Sequence, residues 1–178
     1  MVLSGRRIIL FIGDSLTEWC DWQKYFPQYY VINAGLSGET AEGLFERIPN
    51  LSLNENPDVI FLMTGANNAA MEEYDIDGVM EKIVSSLFQR FKSAVIVVQS
   101  ILPMALDRVE NSDIEGLNSI IKLLAENFGA QYLDVYSRFF SENKTIHRDY
   151  LLDDGVHLSD KGYEVWAKEV VGVLGKIY

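Results

Sequence analysis

Short apolar runs alternate along the chain with segments whose apolar residues recur at helical spacing. Five runs rich in β-branched and aromatic residues have the length of a buried strand. They span Ile8 to Ile12, Tyr29 to Ile32, Val59 to Met63, Ala94 to Gln99, and Tyr132 to Val135. We expect one strand at each of these runs.

Apolar residues at helical spacing separate most of the predicted strands. The stripes are Val79, Ile83, Leu87 and Phe91; Leu117, Ile121, Leu124 and Phe128; and Tyr163, Trp166, Val170, Val173 and Ile177. Ser112 and Glu115 form a capping box for the second helix, and Gly129 is a typical helix stop. The third stripe predicts a last helix from Ser159 to about Tyr178.

Strands that alternate with helices predict a parallel sheet covered on both faces, because right-handed crossovers place helices over both sides of an open sheet. We expect an α/β fold: a three-layer α/β/α sandwich with five parallel strands in the order 2-1-3-4-5. A chain of 178 residues can bury a core without metal or disulfide support. We therefore expect a single domain over residues 1–178.

Composition and charge exclude several classes of partner. The chain is 48% hydrophobic and 23% charged, as in ordinary globular domains, and its net charge of -11 would repel nucleic acid. Its apolar runs are too short for stable membrane insertion or a signal-peptide core, so we expect a cytoplasmic protein. The single Cys20 cannot form an internal disulfide. No oligomeric state is predicted.

The loops after the first three strands carry groups suited to acyl transfer. In such a sheet the ligand crevice lies beyond the carboxyl ends of the strands, where the strand order reverses. Ser15 follows the first strand, Gly35 the second and Asn67 the third. The N–H groups of Ser15 and Gly35 and the side-chain amide of Asn67 would stabilise an oxyanion. Glycine at position 35 would also admit a substrate close to the backbone.

A serine hydroxyl needs a base within hydrogen-bond reach before it can attack an ester. The chain has two histidines. His157 lies just before the last helix and three residues after Asp154, whose carboxylate would hold one ring nitrogen and leave the other for Ser15. His147 lacks such a setting. The long connection after strand five would carry His157 back over the strand ends.

These residues resemble the sequence blocks of the GDSL, or SGNH, hydrolases, a family of flavodoxin-like α/β/α esterases and lipases. The resemblance covers nearly the whole chain in order. The matching blocks are Phe11 to Thr17, Asn33 to Gly38, Gly65 to Asn68, and Asp154 to His157. Four blocks at the expected strand ends are much stronger evidence than one short Gly-Asp-Ser string.

The resemblance implies a role for each site residue. Ser15 is nucleophile and oxyanion donor, Gly35 and Asn67 are the other donors, and His157 is the base that Asp154 orients. It also implies hydrolysis of a small-molecule carboxylic ester or thioester through an acyl-serine, with no metal and no cofactor. One departure is visible: many members have aspartate after the oxyanion asparagine, whereas this chain has Asn68 there. A supporting hydrogen bond is therefore altered.

The substrate is less defined than the reaction. Short-chain esterases, sugar O-deacetylases, lysophospholipases and acyl-thioesterases share this machinery. The lack of a long apolar lid favours small acyl groups. Asp14, Asn68, Met104 and Leu106 are further candidates for substrate contact, although Asp14 also suits bracing of the nucleophile loop and Asn68 a turn.

Other interpretations of the site residues explain less of the pattern. Ser15 alone would serve as a helix cap, but capping requires neither His157 nor Asn67. A non-catalytic flavodoxin-like module would bind phosphate or flavin through Ser15 and Thr17, but it gains nothing from a distant Asp-x-x-His pair. A metal site is the minor alternative for four residues: Asp153, Asp154, His157 and Asp160.

An aromatic cluster follows the nucleophile loop. Its members are Trp19, Trp22, Tyr25 and Phe26. They would either form the wall of an acyl pocket or pack the first helix, and packing is the favoured role.

Overall fold

A computed structural model describes residues 5–178 and shows five parallel strands in one sheet. The strands are β1 (Ile8–Gly13), β2 (Tyr30–Gly35), β3 (Val59–Met63), β4 (Val95–Gln99) and β5 (Gln131–Leu133). Their order across the sheet is β2-β1-β3-β4-β5, and every neighbouring pair is parallel. The predicted order is confirmed.

Helices fill the connections between the strands. They are α1 (Ser15–Glu18), α2 (Trp22–Tyr25), α3 (Ala41–Arg47), α4 (Ala66–Ala70), α5 (Asp77–Arg90), α6 (Asn111–Phe128) and α7 (Asp160–Ile177), with short 3-10 helices at Ile48–Asn50, Tyr136–Phe139 and Arg148–Tyr150. On one face α3 packs against α5, and α5 against α6. On the other face Trp22 of α2 meets Trp166 of α7 edge-on at 4.9 Å. The fold is thus the predicted three-layer sandwich.

The core is centred on β1 and β3, whose residues are all buried because both strands lie inside the sheet. Phe11 of β1 stacks on Trp22 with ring centroids 4.0 Å apart, and its ring lies 5.1 Å from that of Phe61. Trp22 and Phe26 are fully buried. For these two aromatic residues the packing role is confirmed, and they fix the segment that follows Ser15.

The second strand is longer than its apolar run. The predicted strand ends at Ile32, but Asn33, Ala34 and Gly35 continue the ladder and pair with the last three residues of β1. Polar Asn33 is tolerated there because β2 is an edge strand. Gly35 is therefore the last residue of a strand rather than part of a loop.

The ends of the later helices agree only partly with the sequence pattern. The capping box at Ser112 is wrong, because α6 already begins at Asn111. The side-chain amide of Asn111 fixes that start by bonding both the N–H and the carbonyl oxygen of Met104, at 3.0 and 2.7 Å. Gly129 ends α6 in the left-handed region as predicted, and Ser159 caps α7.

The long helices carry an apolar face and a polar face. In α7, Tyr163, Trp166 and Val170 are buried whereas Glu164 and Lys168 are exposed. Within residues 5–178, no helix combines the length and the apolar character that crossing a bilayer requires.

Candidate active site

Ser15 stands at the carboxyl end of the central strand β1 as the first residue of α1. Asp14 caps the helix, with its Oδ1 accepting a hydrogen bond from the N–H of Leu16 at 3.0 Å. The carbonyl oxygen of Leu16 in turn accepts from the hydroxyl of Tyr163 in α7 at 3.0 Å. Ser15 is only 7% exposed, so its hydroxyl has a defined and sheltered position.

Three polar side chains form a row beginning at Ser15. Its Oγ lies 3.0 Å from Nε2 of His157, and Nδ1 of that ring lies 2.7 Å from Oδ2 of Asp154. Hydroxyl, imidazole and carboxylate are thus linked by two hydrogen bonds. Such a row is the arrangement in which a histidine takes the proton of a serine while an acid fixes the ring.

A tight turn positions Asp154 and His157. The N–H groups of Val156 and His157 both donate to Oδ1 of Asp154 at 2.9 Å, while Gly155 adopts a left-handed φ of 75°. Burial alone would raise the pKa of Asp154, but the hydrogen bonds from Val156 and His157 outweigh burial and lower it. The carboxylate is therefore held in its charged form, ready to orient the imidazole.

The turn is anchored to the segment that follows β4. The N–H of Ala105 donates to the carbonyl oxygen of Gly155 at 2.8 Å, and a Cβ at position 155 would lie 2.6 Å from the carbonyl oxygen of Ala105. The N–H of Leu152 donates to the carbonyl oxygen of His157 at 2.7 Å. The connection after β5 thus returns over the strand ends and holds His157 in place.

Gly35 ends β2 beside the loop that carries Ser15 and is paired with Gly13 of β1. A Cβ at position 35 would lie 2.3 Å from the backbone nitrogen of Glu18. Close packing against α1 therefore requires this glycine. The expected role of leaving room for substrate stays a prediction. The N–H of Gly35 donates to Oδ1 of Asn33 at 3.0 Å, so this predicted oxyanion donor already has an acceptor.

Asn67 lies in α4, after the left-handed Gly65 that turns the chain out of β3. Its Nδ2 donates to the carbonyl oxygen of Glu39 at 2.9 Å, which orients the amide. The carboxylate of Glu39 is almost fully buried and pairs with Arg47 through two hydrogen bonds of 2.6 Å. This partly buried ion pair fixes the loop whose Glu39 carbonyl oxygen holds Asn67.

Comparison with known proteins decides the family. The sequence profile of the GDSL-like Lipase/Acylhydrolase family matches residues 11–165, a range that contains Ser15, Asn67, Asp154 and His157. The chain belongs to this family.

Individual relatives agree with this assignment. The platelet-activating factor acetylhydrolase IB subunit alpha2 of Homo sapiens is 28% identical over 165 residues, covering 87% of this chain and 70% of the relative. A Streptococcus pneumonia structure, provisionally described as a platelet activating factor, superposes with a TM-score of 0.86 at 25% identity and covers 97% of this chain and 86% of its own. The lipase/acylhydrolase of Enterococcus faecalis has a TM-score of 0.76 at 21% identity, with coverages of 94% and 95%, and shares the fold.

Asn68 of this GDSL-like hydrolase is fully buried and joins α4 to α3. Its Oδ1 accepts from the N–H of Ala41 at 2.9 Å, and its Nδ2 donates to Oε2 of Glu42 at 3.0 Å. That donation lowers the pKa of Glu42. An aspartate would keep the first bond but place a second carboxylate against Glu42. The amide at this position therefore fits the neighbouring acid.

The remaining candidates for substrate contact lie mostly inside the protein. Asp14 is fully buried, and burial raises its pKa to about 7 against the opposing hydrogen bond from Leu16. Met104 is 1% exposed, its backbone held by Asn111. Only Leu106 is partly exposed. Asp14, Asn68 and Met104 thus have structural contacts, and Leu106 is the candidate with an accessible side chain.

Sequence reasoning missed two features of the site. Trp19 is not packed with the other aromatic residues but stacks on the ring of His157 with centroids 3.9 Å apart. The partly buried ion pair of Glu39 and Arg47 was also missed. Neither is visible as a motif. The Trp19 stack depends on contact with a segment distant in sequence, and Glu39 and Arg47, eight positions apart, belong to none of the sequence blocks that mark the site.

Neither Cys20 as a nucleophile nor the metal alternative receives support from the described residues. Cys20 is buried, and burial raises the pKa of its thiol to about 12. Within residues 5–178 no group of three or more His, Cys, Asp or Glu side chains is placed to hold a metal ion.

A large surface cleft of about 740 Å³ lies elsewhere, beside α6 and the segment after β5. Its lining includes Glu115, Tyr132, Tyr136 and Phe140, and none of the predicted site residues. The row of Ser15, His157 and Asp154 therefore opens at the strand ends rather than into this cleft.

Proposed function

We propose that this GDSL-like hydrolase cleaves carboxylic esters or thioesters through an acyl-serine intermediate. The observation that carries the proposal is the hydrogen-bonded row from Ser15 through His157 to Asp154, with distances of 3.0 and 2.7 Å. The row supplies a nucleophile, a base and an orienting acid at the strand ends, where ligands of such folds bind.

In the first half-reaction Oγ of Ser15 attacks the carbonyl carbon, and Nε2 of His157 takes the hydroxyl proton. The tetrahedral intermediate collapses when the bond to the leaving group breaks and the imidazolium returns the proton to it. Water then attacks the acyl-serine by the same route, which releases the acid and restores the hydroxyl. Asp154 stays ionised and stabilises the imidazolium throughout.

The oxyanion would be held by the N–H groups of Ser15 and Gly35 and by the amide of Asn67. One hydrogen of Asn67 Nδ2 is directed to the carbonyl oxygen of Glu39, and the other remains for the oxyanion. The N–H of Gly35 would share or exchange its bond to Asn33 as the negative charge develops. A charged acceptor forms the stronger bond, so this exchange is favourable in the transition state.

Short acyl groups are the proposed substrates. Three exposed apolar side chains next to the site residues would contact apolar parts of an ester. They are Leu36, which follows Gly35, Met71, which follows α4, and Leu152, which lies beside His157. Leu106 would add a further contact. The human relative is named an acetylhydrolase, and we extend only a small acyl group to this chain.

Replacement of Ser15 by Ala tests the proposal. We expect S15A to lose turnover of 4-nitrophenyl acetate and to unfold at the wild-type temperature. Ser119→Ala is the matched control, because that hydroxyl lies on α6 and bonds only within its own helix. A panel with acyl groups of increasing length would then give the largest kcat/KM for the shortest chains. Full activity in S15A would refute the nucleophile assignment.

A further inference from the structure

Trp19 lies on the imidazole of His157 while much of its surface remains exposed. The two rings stack with centroids 3.9 Å apart and planes 12° from parallel. Trp19 is 53% exposed, whereas Trp22 and Trp166 are buried. Because burial is what makes a large aromatic side chain stabilising, packing of α1 does not explain this position. The contact that Trp19 does make is with the proposed base.

A polar network fixes the indole in this position. Its Nε1 donates to Oγ of Ser37 at 3.0 Å. Ser37 donates to Oε2 of Glu18 through its N–H at 2.8 Å and also through its hydroxyl. Glu18 and Trp19 are neighbours at the end of α1, so the network begins and ends on the same helix. The indole thereby connects the base to the loop that follows Gly35.

We infer that Trp19 is a positioning residue for His157, an inference that rests on the proposed function. Asp154 holds Nδ1 of the imidazole by a hydrogen bond, and Ser15 holds Nε2. Two bonds at opposite sides still allow the ring to rock about the line that joins the nitrogens. The indole face blocks that motion on one side, and the bond to Ser37 keeps the indole from turning away.

The stack also has an electrostatic consequence. The imidazole becomes a cation once it takes the proton of Ser15, and the face of an indole attracts a cation. The attraction is therefore stronger in the transition state than in the resting enzyme, which raises kcat rather than lowering KM. Loss of a contact of this type is expected to lower the rate about 3- to 30-fold.

A set of variants separates positioning from substrate binding. With 4-nitrophenyl acetate, we expect Trp19→Ala to lower kcat about 10-fold and to change KM less than about 2-fold. Trp19→Phe keeps a ring on the imidazole and recovers most of kcat. Ser37→Ala removes the anchor of the indole and gives a smaller loss of kcat. Leu123→Ala is the control, because it removes another exposed apolar side chain, which lies on α6 and is 61% exposed. We expect it to leave kcat and KM unchanged.

Each outcome has a distinct meaning. A rise in KM with unchanged kcat in Trp19→Ala would make the indole a wall of the substrate site and overturn the inference, as would two unchanged constants. Turnover in S15A would instead overturn the proposed function, whatever Trp19→Ala does. If Trp19→Ala fails to fold, Ser37→Ala decides the question. A lower kcat with unchanged KM supports the inference, and unchanged kcat with full stability overturns it.

Discussion

Oγ of Ser15 lies 3.0 Å from Nε2 of His157, although 142 positions separate the two residues in the chain. The contact joins the end of the first strand to the turn before the last helix. It therefore depends on the sheet order, on the return of the connection after β5, and on the bond between Ala105 and Gly155. The proposed chemistry depends on all three.

Asp154→Asn tests the orientation of the base. The amide would keep an oxygen for the backbone N–H groups of the turn but would present hydrogens to Nδ1 of His157, which stabilises the wrong tautomer. We expect kcat to fall about 10³- to 10⁴-fold with the fold intact. The matched control is Asp153→Asn, one residue earlier and exposed, which should keep wild-type kcat. Equal activity in the two variants would exclude Asp154 from the mechanism.

Asn67→Ala tests the oxyanion donors. Loss of one such donor lowers kcat by about 10²- to 10³-fold with little change in KM, because the bond forms fully only in the transition state. Steady-state kinetics with 4-nitrophenyl acetate would measure both constants. Asn143→Ala, an exposed asparagine in the connection after β5, is the control. A raised KM with unchanged kcat in Asn67→Ala would instead assign Asn67 to substrate binding.

Asn68→Asp tests the departure from the usual family residue. The new carboxylate would face Glu42 without the amide donor, so we expect a loss of about 2 kcal/mol in the free energy of unfolding. Adding Glu42→Gln restores a donor next to position 68 and should recover at least half of that loss. Urea unfolding of wild type, both single variants and the double variant gives the coupling energy. Strictly additive effects would show that the two side chains are not coupled.

The raised pKa of Asp14 predicts that the free energy of unfolding depends on pH. Its pKa in the folded protein is about 7, above the usual 3.8, so the folded state holds a proton that the unfolded state loses first. The stabilisation is complete below about pH 4 and decreases as the pH rises to about 7. With about 1.36 kcal/mol per pKa unit, the total decrease is about 4 kcal/mol.

Asp14→Asn removes this effect and keeps the Oδ1 acceptor for Leu16. Denaturant unfolding of wild type and variant between pH 4 and 8 should therefore diverge, with the variant gaining relative stability as the pH rises. Asp153→Asn should follow the wild type. Parallel curves for wild type and Asp14→Asn would mean that Asp14 is already ionised across this range in the folded protein.

The sheet order and the position of the site are predictable from the sequence because each depends on local patterns. The runs of β1 and β3 have the composition of buried strands, and the groups that follow each strand must meet at one edge of a parallel sheet. The Asp-x-x-His spacing of Asp154 and His157 is also local. Ser159 and Gly129 mark helix ends through their own side-chain and backbone chemistry.

Features that depend on specific side-chain contacts outside the local pattern were not predictable. Ser112 fits a capping box, but the amide of Asn111 on Met104 starts α6 earlier. Gly35 has the pattern of a glycine that faces a ligand, yet Glu18 occupies the space next to it. The stack of Trp19 on His157 follows from side-chain directions, which hydrophobic periodicity does not encode.

The most direct test of the proposed mechanism is covalent labelling with a fluorophosphonate, followed by peptide mass spectrometry. The reagent reacts with an activated serine and leaves an adduct that water does not remove readily. We predict an adduct on Ser15, loss of esterase activity in proportion to labelling, and greatly slowed labelling in His157→Gln. An adduct on another residue that accompanies the loss of activity, or full activity with Ser15 modified, would contradict the proposed mechanism.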